Sequence, residues 1–259
     1  VYSTWMPRYE LPNVEHTKIE QHSFKMKDLS ASSPGQLREK LNVIPTTYKM
    51  WLDQEQQIIS QLEPHLKAEA EQNVLKVQSI IKRLEEGIAL VTESSDSLNY
   101  LAFQFANRAM LLQRAQSSVA QTYRATGKRV KPTLDGEWRL FQLIFLLMNI
   151  AGASDEQHPD RDIVDLIWFP TGGGKTEAYL GVAAYVMAYR RLLAPNQVEK
   201  YAGVTVFMRY TLRLLTTQQF QRAAALICAA ERLRKSNAKL FGEEPFSIGL
   251  WIGQDSSPN

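Results

Sequence analysis

The string Pro170-Thr171-Gly172-Gly173-Gly174-Lys175-Thr176 concentrates three kinds of chemistry in seven residues. Successive glycines let backbone N–H groups turn toward one anion, the lysine carries a charge that can bridge phosphate oxygens, and the threonine hydroxyl can ligate magnesium. The string follows a β-rich apolar run, Ile163 to Phe169, and precedes an apolar helical period, which is the context a phosphate-binding loop requires. A simple glycine-rich turn is the alternative. The strict GxxxxGK[ST] spacing places its first glycine where this chain has Phe169.

Two other groups of residues stand in order around it. Arg139 and Gln142 form an RxxQ spacing 33 residues upstream of Lys175 (Gln142 to Lys175), and the Gln142 amide could donate and accept at once, as an adenine edge requires. Its alternative is a helix-capping or core amide. Downstream, Arg209, Thr211, Arg213 and Gln218 open a segment rich in cations, hydroxyls and amides, groups that suit a sugar-phosphate backbone. A solvated amphipathic helix is the competing interpretation there.

In this order the motifs resemble those of superfamily 2 helicases, which use a PTGxGKT form of the loop. The stretch Thr211 to Gln218 is similar to their PTRxLxxQ element, keeping Arg213, Leu215 and Gln218 without its proline. The strings LIWFPTGGGKTEAYLG, MRYTLRLLTTQQFQRA, FSIGLWIG and FQFANRAM resemble, over about residues 96–259, the helicase subunits of bacterial DISARM anti-phage defence systems. That resemblance implies a DNA-directed motor driven by ATP with magnesium. Lys175 and Thr176 would be its catalytic loop residues, with Thr176 on the metal, and Pro170, Thr171, Gly172, Gly173, Gly174, Arg139 and Gln142 would complete the nucleotide site. Arg209, Thr211, Arg213 and Gln218 would touch DNA. It also implies a DUF1998-containing partner subunit and a system that includes a DNA methyltransferase. Two rivals stay open: a nucleotide-switched DNA-binding scaffold without turnover, and a P-loop ATPase acting on protein.

The elements that would position these residues divide the chain. Residues 1–45, with Pro7, Pro12, Pro34, Pro45 and a Ser-rich stretch, read as an irregular arm. Residues 46–131 read as an all-helical module and basic linker. Within it, Thr46 is a candidate N-cap, and Leu66, Ala70, Val74, Val77, Ile81, Leu84, Ile88 and Val91 recur at three- and four-residue spacing, one apolar seam of a helix. Leu98, Leu101, Phe105, Ala109, Leu112 and Val119 supply a partner seam. Residues 132–259 alternate apolar runs at 163–169, 204–208 and 246–252 with helical periods at 138–150, 176–193 and 214–233. This alternation predicts α/β architecture: the first part of a RecA-like domain with a mainly parallel sheet. The acidic DExx motif and the second RecA-like half are not found in the sequence, so residues 1–259 alone are expected to be inactive. A chain that starts at Val1 is expected to be part of something longer.

Hydrophobic residues make up 44% and charged residues 22% of the 259 residues, which excludes disordered, collagenous and fibrous classes. Cys228 is the single cysteine, so neither an intrachain disulfide nor a cysteine zinc cage can form. The longest apolar run, Leu140 to Ile150, is broken by Gln142 and Asn149 and is too short for the roughly 20 residues of a membrane span. With no secretory signal opening the chain, these features predict a cytoplasmic protein without membrane partners. The formal charge is only +3, yet between Ala178 and Leu240 ten basic residues face two acidic ones, a local excess suited to an anionic partner.

Overall fold

A computed structural model of the chain describes residues 18–168, 174–195, 197–201, 203–209 and 213–251; of residues 213–217 only the backbone is described. Its elements are helical. A short turn α1 (Met26–Leu29) precedes three long helices, α2 (Pro34–Ile59), α3 (Pro64–Val91) and α4 (Leu98–Thr126). Then come α5 (Leu140–Met148), α6 (Ile150–Ser154), a 3-10 turn at Pro159–Asp162, α7 (Lys175–Leu193), α8 (Val198–Tyr201), α9 (Arg213–Ser236) and α10 (Ala238–Phe241).

Residues 34–45, expected in an irregular arm, form the first half of α2. Ser33 caps it reciprocally: its hydroxyl accepts from Gln36 N, and its own N–H donates to Gln36 Oε1 at 3.0 Å. Pro34 occupies the first helical position, where its missing N–H costs nothing, and Leu37, Leu41 and Ile44 are buried at helical spacing. Pro45 is carried inside the helix, so Thr46 does not begin a new one. Both expected helices form; in α3 the seam is buried at Ile81, Leu84, Ile88 and Val91, whereas Leu66 near its start is 49% exposed. Pro64 opens α3, Ser97 caps α4 by accepting from Tyr100 N at 3.2 Å, and Gly127 closes α4 with φ 69°.

The expected parallel sheet does not form among the described residues. Residues 163–168, 204–209 and 246–251 run without ladder hydrogen bonds to one another, and the single bridge described joins Lys25 and Glu137 in antiparallel sense. A ladder needs a neighbouring backbone about 4.8 Å away along the whole run. Here side chains hold the three runs at points instead. Arg83 grips Asp165; Arg190 donates to Val204 O; Arg191 donates to Glu244 O and Pro245 O at 2.7 and 3.0 Å; and Phe246 N donates to Glu231 Oε2 at 3.0 Å. Val164 and Trp251 are 93% and 94% exposed, so these runs do not bury the faces a sheet would bury.

The helices pack on one another instead. α4 is central: it lies against α1, α3, α7 and α9, while α5 packs between α3 and α7. Phe103, Ala106, Ala109 and Met110 of α4, Leu84 and Ile88 of α3, Leu143 and Leu147 of α5, Leu180 and Tyr185 of α7 and Leu226 and Ala230 of α9 share one continuous core. Backbones approach closely where glycine permits. A Cβ on Gly87 would stand 1.9 Å from Leu147 O, so α3 and α5 meet nearly backbone to backbone.

Candidate functional site

The site is built where α5 and α7 begin. A buried tryptophan precedes α5: Trp138 lies against Gly181 of α7, where a Cβ would come within 2.7 Å of its ring, and its Nε1 donates to Asn107 Oδ1 of α4 at 2.8 Å. Asn107 is wholly buried and donates in turn to Phe103 O at 2.9 Å, so no polar end of this bridge is wasted. Trp138 N donates to Phe24 O at 3.0 Å, and Met26 N to Gly136 O at 2.9 Å, which ties the approach to α5 onto the N-terminal segment. Trp138 therefore fixes the next residue, Arg139, at the N-cap of α5 and Gln142 one turn in.

Gln142 is 4% exposed, and both ends of its amide are engaged. Oε1 accepts from Arg139 N at 2.9 Å, which caps α5; Nε2 donates to Gly174 O at 2.8 Å. The capping role raised as an alternative for this residue is present. The same side chain also joins the RxxQ spacing to the last glycine of the loop, and one N–H and one lone pair of the amide remain for another partner.

Gly174 is the N-cap of α7 with φ 86° and ψ 25°, a left-handed conformation that favours glycine. Its surroundings favour glycine as well. A Cβ there would stand 2.6 Å from Gln142 Nε2 and 3.4 Å from both Arg139 Nη1 and Glu177 Oε2. Lys175 and Thr176 are the first two residues of α7, at its positive dipole end. Thr176 is buried, with its hydroxyl 3.1 Å from Tyr179 OH, and Glu177 in the same first turn pairs with Arg222 of α9. Arg139, Gln142, Gly174, Lys175 and Thr176 are thus brought together from two separated stretches of sequence. Pro170, Thr171, Gly172 and Gly173 lie outside the described residues.

The residues expected to meet nucleic acid are less completely described. Arg209 is exposed at the end of the run 203–209, the backbone of Arg213 opens α9, and Gln218 is exposed on that helix; Thr211 lies outside the described residues. Between the run 204–209, the run 246–251 and the facing sides of α7 and α9 is a cavity of about 1440 Å³, lined in part by Met187, Phe220 and Ile227. Farther along α9, Arg234 is buried and donates through Nε and Nη2 to Glu231 at 2.8 and 2.7 Å and through Nη1 to Gly242 O at 2.8 Å. The Arg234 guanidinium holds the Glu231 carboxyl below its usual range.

Sequence reasoning missed two residues that hold the site's approach. Arg83 of α3 makes a two-pronged bond to Asp165, 2.7 Å at each oxygen, and its Nε lies 3.0 Å from Asp160. Asp165, the principal partner, raises the pKa of Arg83. Its position beside the seam residue Leu84 gives no local sign of a partner that lies 82 residues away. Asn107 was equally hidden, an amide in the middle of α4 with its partner 31 residues on.

Among the described residues no helix is long and apolar enough to cross a membrane, and no cluster of three or more His, Cys, Asp or Glu side chains is arranged to hold a metal.

Fold and site together define a helical-core protein with a Gly-Lys-Thr helix start built into its packing. No protein-family model matches the chain. Its sequence is 35% identical over 271 residues to the DISARM protein DrmA of Bacillus paralicheniformis, an alignment that takes in 99% of this chain and 24% of that protein. The similarity runs along essentially the whole of this chain, which spans about a quarter of that relative's length. The resemblance to a DISARM protein drawn from the motifs is thereby upheld.

Proposed function

We propose that this chain is the part of a DISARM defence-system helicase subunit that binds ATP for a DNA-directed motor. The observation that supports it most is the junction at Gly174: a left-handed glycine at the head of α7, held through its carbonyl by Gln142 and followed at once by Lys175 and Thr176. The DrmA likeness over the whole chain supports the defence-system setting.

In this reading Lys175 neutralises phosphate oxygens and the first-turn N–H groups of α7 add their dipole. Thr176 offers its hydroxyl to magnesium, with Tyr179 OH as that hydroxyl's present partner. Pro170 to Gly173 supply the rest of the cradle. Gln142 holds Gly174 and directs its remaining N–H and lone pair to the adenine edge, beside Arg139. Bound ATP with magnesium supplies phosphoryl-transfer chemistry, which depends mainly on positioning and charge. Arg209, Thr211, Arg213 and Gln218 contact the DNA backbone, where cations and hydroxyls position a strand without reading its bases. A DUF1998-containing subunit is the protein partner, and the setting is the cytoplasm.

The test is steady-state ATP hydrolysis by the full-length protein with and without single-stranded DNA. DNA-stimulated turnover is expected. ATP binding with no turnover would favour a nucleotide-switched scaffold, and turnover indifferent to DNA would favour a motor acting on protein.

A further inference from the structure

Glu177 and Arg222 join the two halves of the proposed site. Glu177 directly follows Lys175 and Thr176 in the first turn of α7. One carboxylate oxygen, Oε2, lies 3.4 Å from where a Gly174 Cβ would stand, and the other, Oε1, accepts from Arg222 Nη2. Arg222 belongs to α9, four residues after Gln218, so the two share one helix face about 6 Å apart along the axis.

Its helix is well placed to transmit a change. Ala223, Leu226 and Ala230 bury one face of α9, which packs against α4 and α7 as a single 24-residue element, while its N-terminal turn carries the candidate DNA contacts. The pair is partly desolvated, with 34% and 24% side-chain exposure for Arg222 and Glu177, so its charges are screened less than an open surface pair.

We infer that the Glu177–Arg222 ion pair couples occupancy of the Gly174–Lys175–Thr176 helix start to the position of the N-terminal turn of α9, and so links nucleotide binding to nucleic-acid binding. This rests on the ATP-binding reading above. The physical cause is competition between charges. A carboxylate bordering the loop repels a polyanion, and the arginine that neutralises it is attracted by the same polyanion. Filling the loop therefore redistributes the bond between Arg222 and Glu177, and the α9 backbone carries that shift to Arg213 and Gln218. Arg222 is here a positioning residue that touches neither ligand.

The experiment measures a coupling ratio on full-length protein. The dissociation constant for a fluorescent single-stranded oligonucleotide is determined by anisotropy, with and without a saturating non-hydrolysable ATP analogue, for wild type, Arg222→Gln, Glu177→Gln and the exchanged pair E177R/R222E. Wild type is expected to change its DNA affinity at least about fivefold on adding the analogue, the lower end of measured allosteric couplings. Arg222→Gln should bring that ratio to within about twofold of unity, while its analogue affinity without DNA falls, because Glu177 is left at the loop without its cation, and its thermal midpoint is maintained. The exchanged pair should recover part of the ratio.

Unchanged coupling in Arg222→Gln overturns the inference, as does a loss of both affinities with the ratio intact, which would mark a purely structural pair. A wild-type ratio of one, in a protein that does bind the analogue, overturns the inference alone. A wild type that fails to bind the analogue at all removes the ATP-binding reading and this inference with it.

Discussion

Replacing Gly174 with alanine tests the geometry of the site at its tightest point. Two costs add. An L-residue held at φ 86° loses about 1–2 kcal/mol relative to glycine. The new Cβ would also stand 2.6 Å from Gln142 Nε2, so the amide must swing away and give up its bond to Gly174 O, worth about 1–3 kcal/mol for a largely buried group. The expected loss is about 2–4 kcal/mol, since Gly174 itself is only half-buried. For a chain of this size that lowers the thermal midpoint by about 5–15 °C. Urea titration followed by far-ultraviolet circular dichroism reads the change directly in so helical a protein. Gln142→Ala supplies the internal control. Once the amide is gone the alanine at 174 meets no obstacle there, so the double variant should be more stable than the sum of the two single losses predicts. A Gly174→Ala protein within about 0.5 kcal/mol of wild type, or strict additivity in the double variant, would refute the contact between Gln142 and the head of α7.

Arg83→Met should cost about 3 kcal/mol, because it leaves the carboxylates of Asp165 and Asp160, at 15% and 20% side-chain exposure, without their cation; a denaturation midpoint equal to wild type would contradict this. Glu231 is held below its normal pKa chiefly by its bond to Arg234, so the stability it contributes is complete above its unfolded-state pKa, about 4.3, and is lost as pH falls through the lower folded-state value. Glu231→Gln should therefore flatten the acid limb of a stability-against-pH curve below about pH 4.3 while lowering stability near neutrality, and a variant curve parallel to wild type through that window would count against the assignment.

The helices were legible in the sequence where one face stays apolar over several turns. The seam from Leu66 to Val91 is α3 almost residue for residue, and Leu98 to Val119 lies within α4. The start of α2 was obscured because Pro34 and Pro45 read as breakers. Ser33-Pro34 with Gln36 is nevertheless a capping sequence, and Pro45 is tolerated in a helix whose neighbouring turns bury Leu41, Ile44 and Leu52. The strands failed for a different reason. An apolar run such as Ile163 to Trp168 specifies an extended backbone but not a partner, and pairing is a property of two segments. Among the described residues these runs are held by Arg83, Arg190, Arg191 and Glu231, whose reach across the chain leaves no trace in local spacing.

The same limit applied at the site. The order of RxxQ before Gly-Lys-Thr could be read, and so could the two possible roles of Gln142. That one amide both caps α5 and binds Gly174 O could not, since it depends on Trp138 seating against Gly181 and Asn107. Nor does local spacing mark the pairing of Glu177 with Arg222, 45 residues on in α9.

The most direct test of ATP binding at the head of α7 is equilibrium titration of the full-length protein with ATP and magnesium, beside Lys175→Ala. Loss of a charge-assisted contact to phosphate is worth about 1.5–3 kcal/mol, roughly a tenfold to hundredfold weakening. Wild type should bind ATP saturably, and Lys175→Ala should bind it at least about tenfold more weakly while keeping its helical dichroism. Equal ATP affinity in the two folded proteins, or no saturable binding by wild type, would contradict the account.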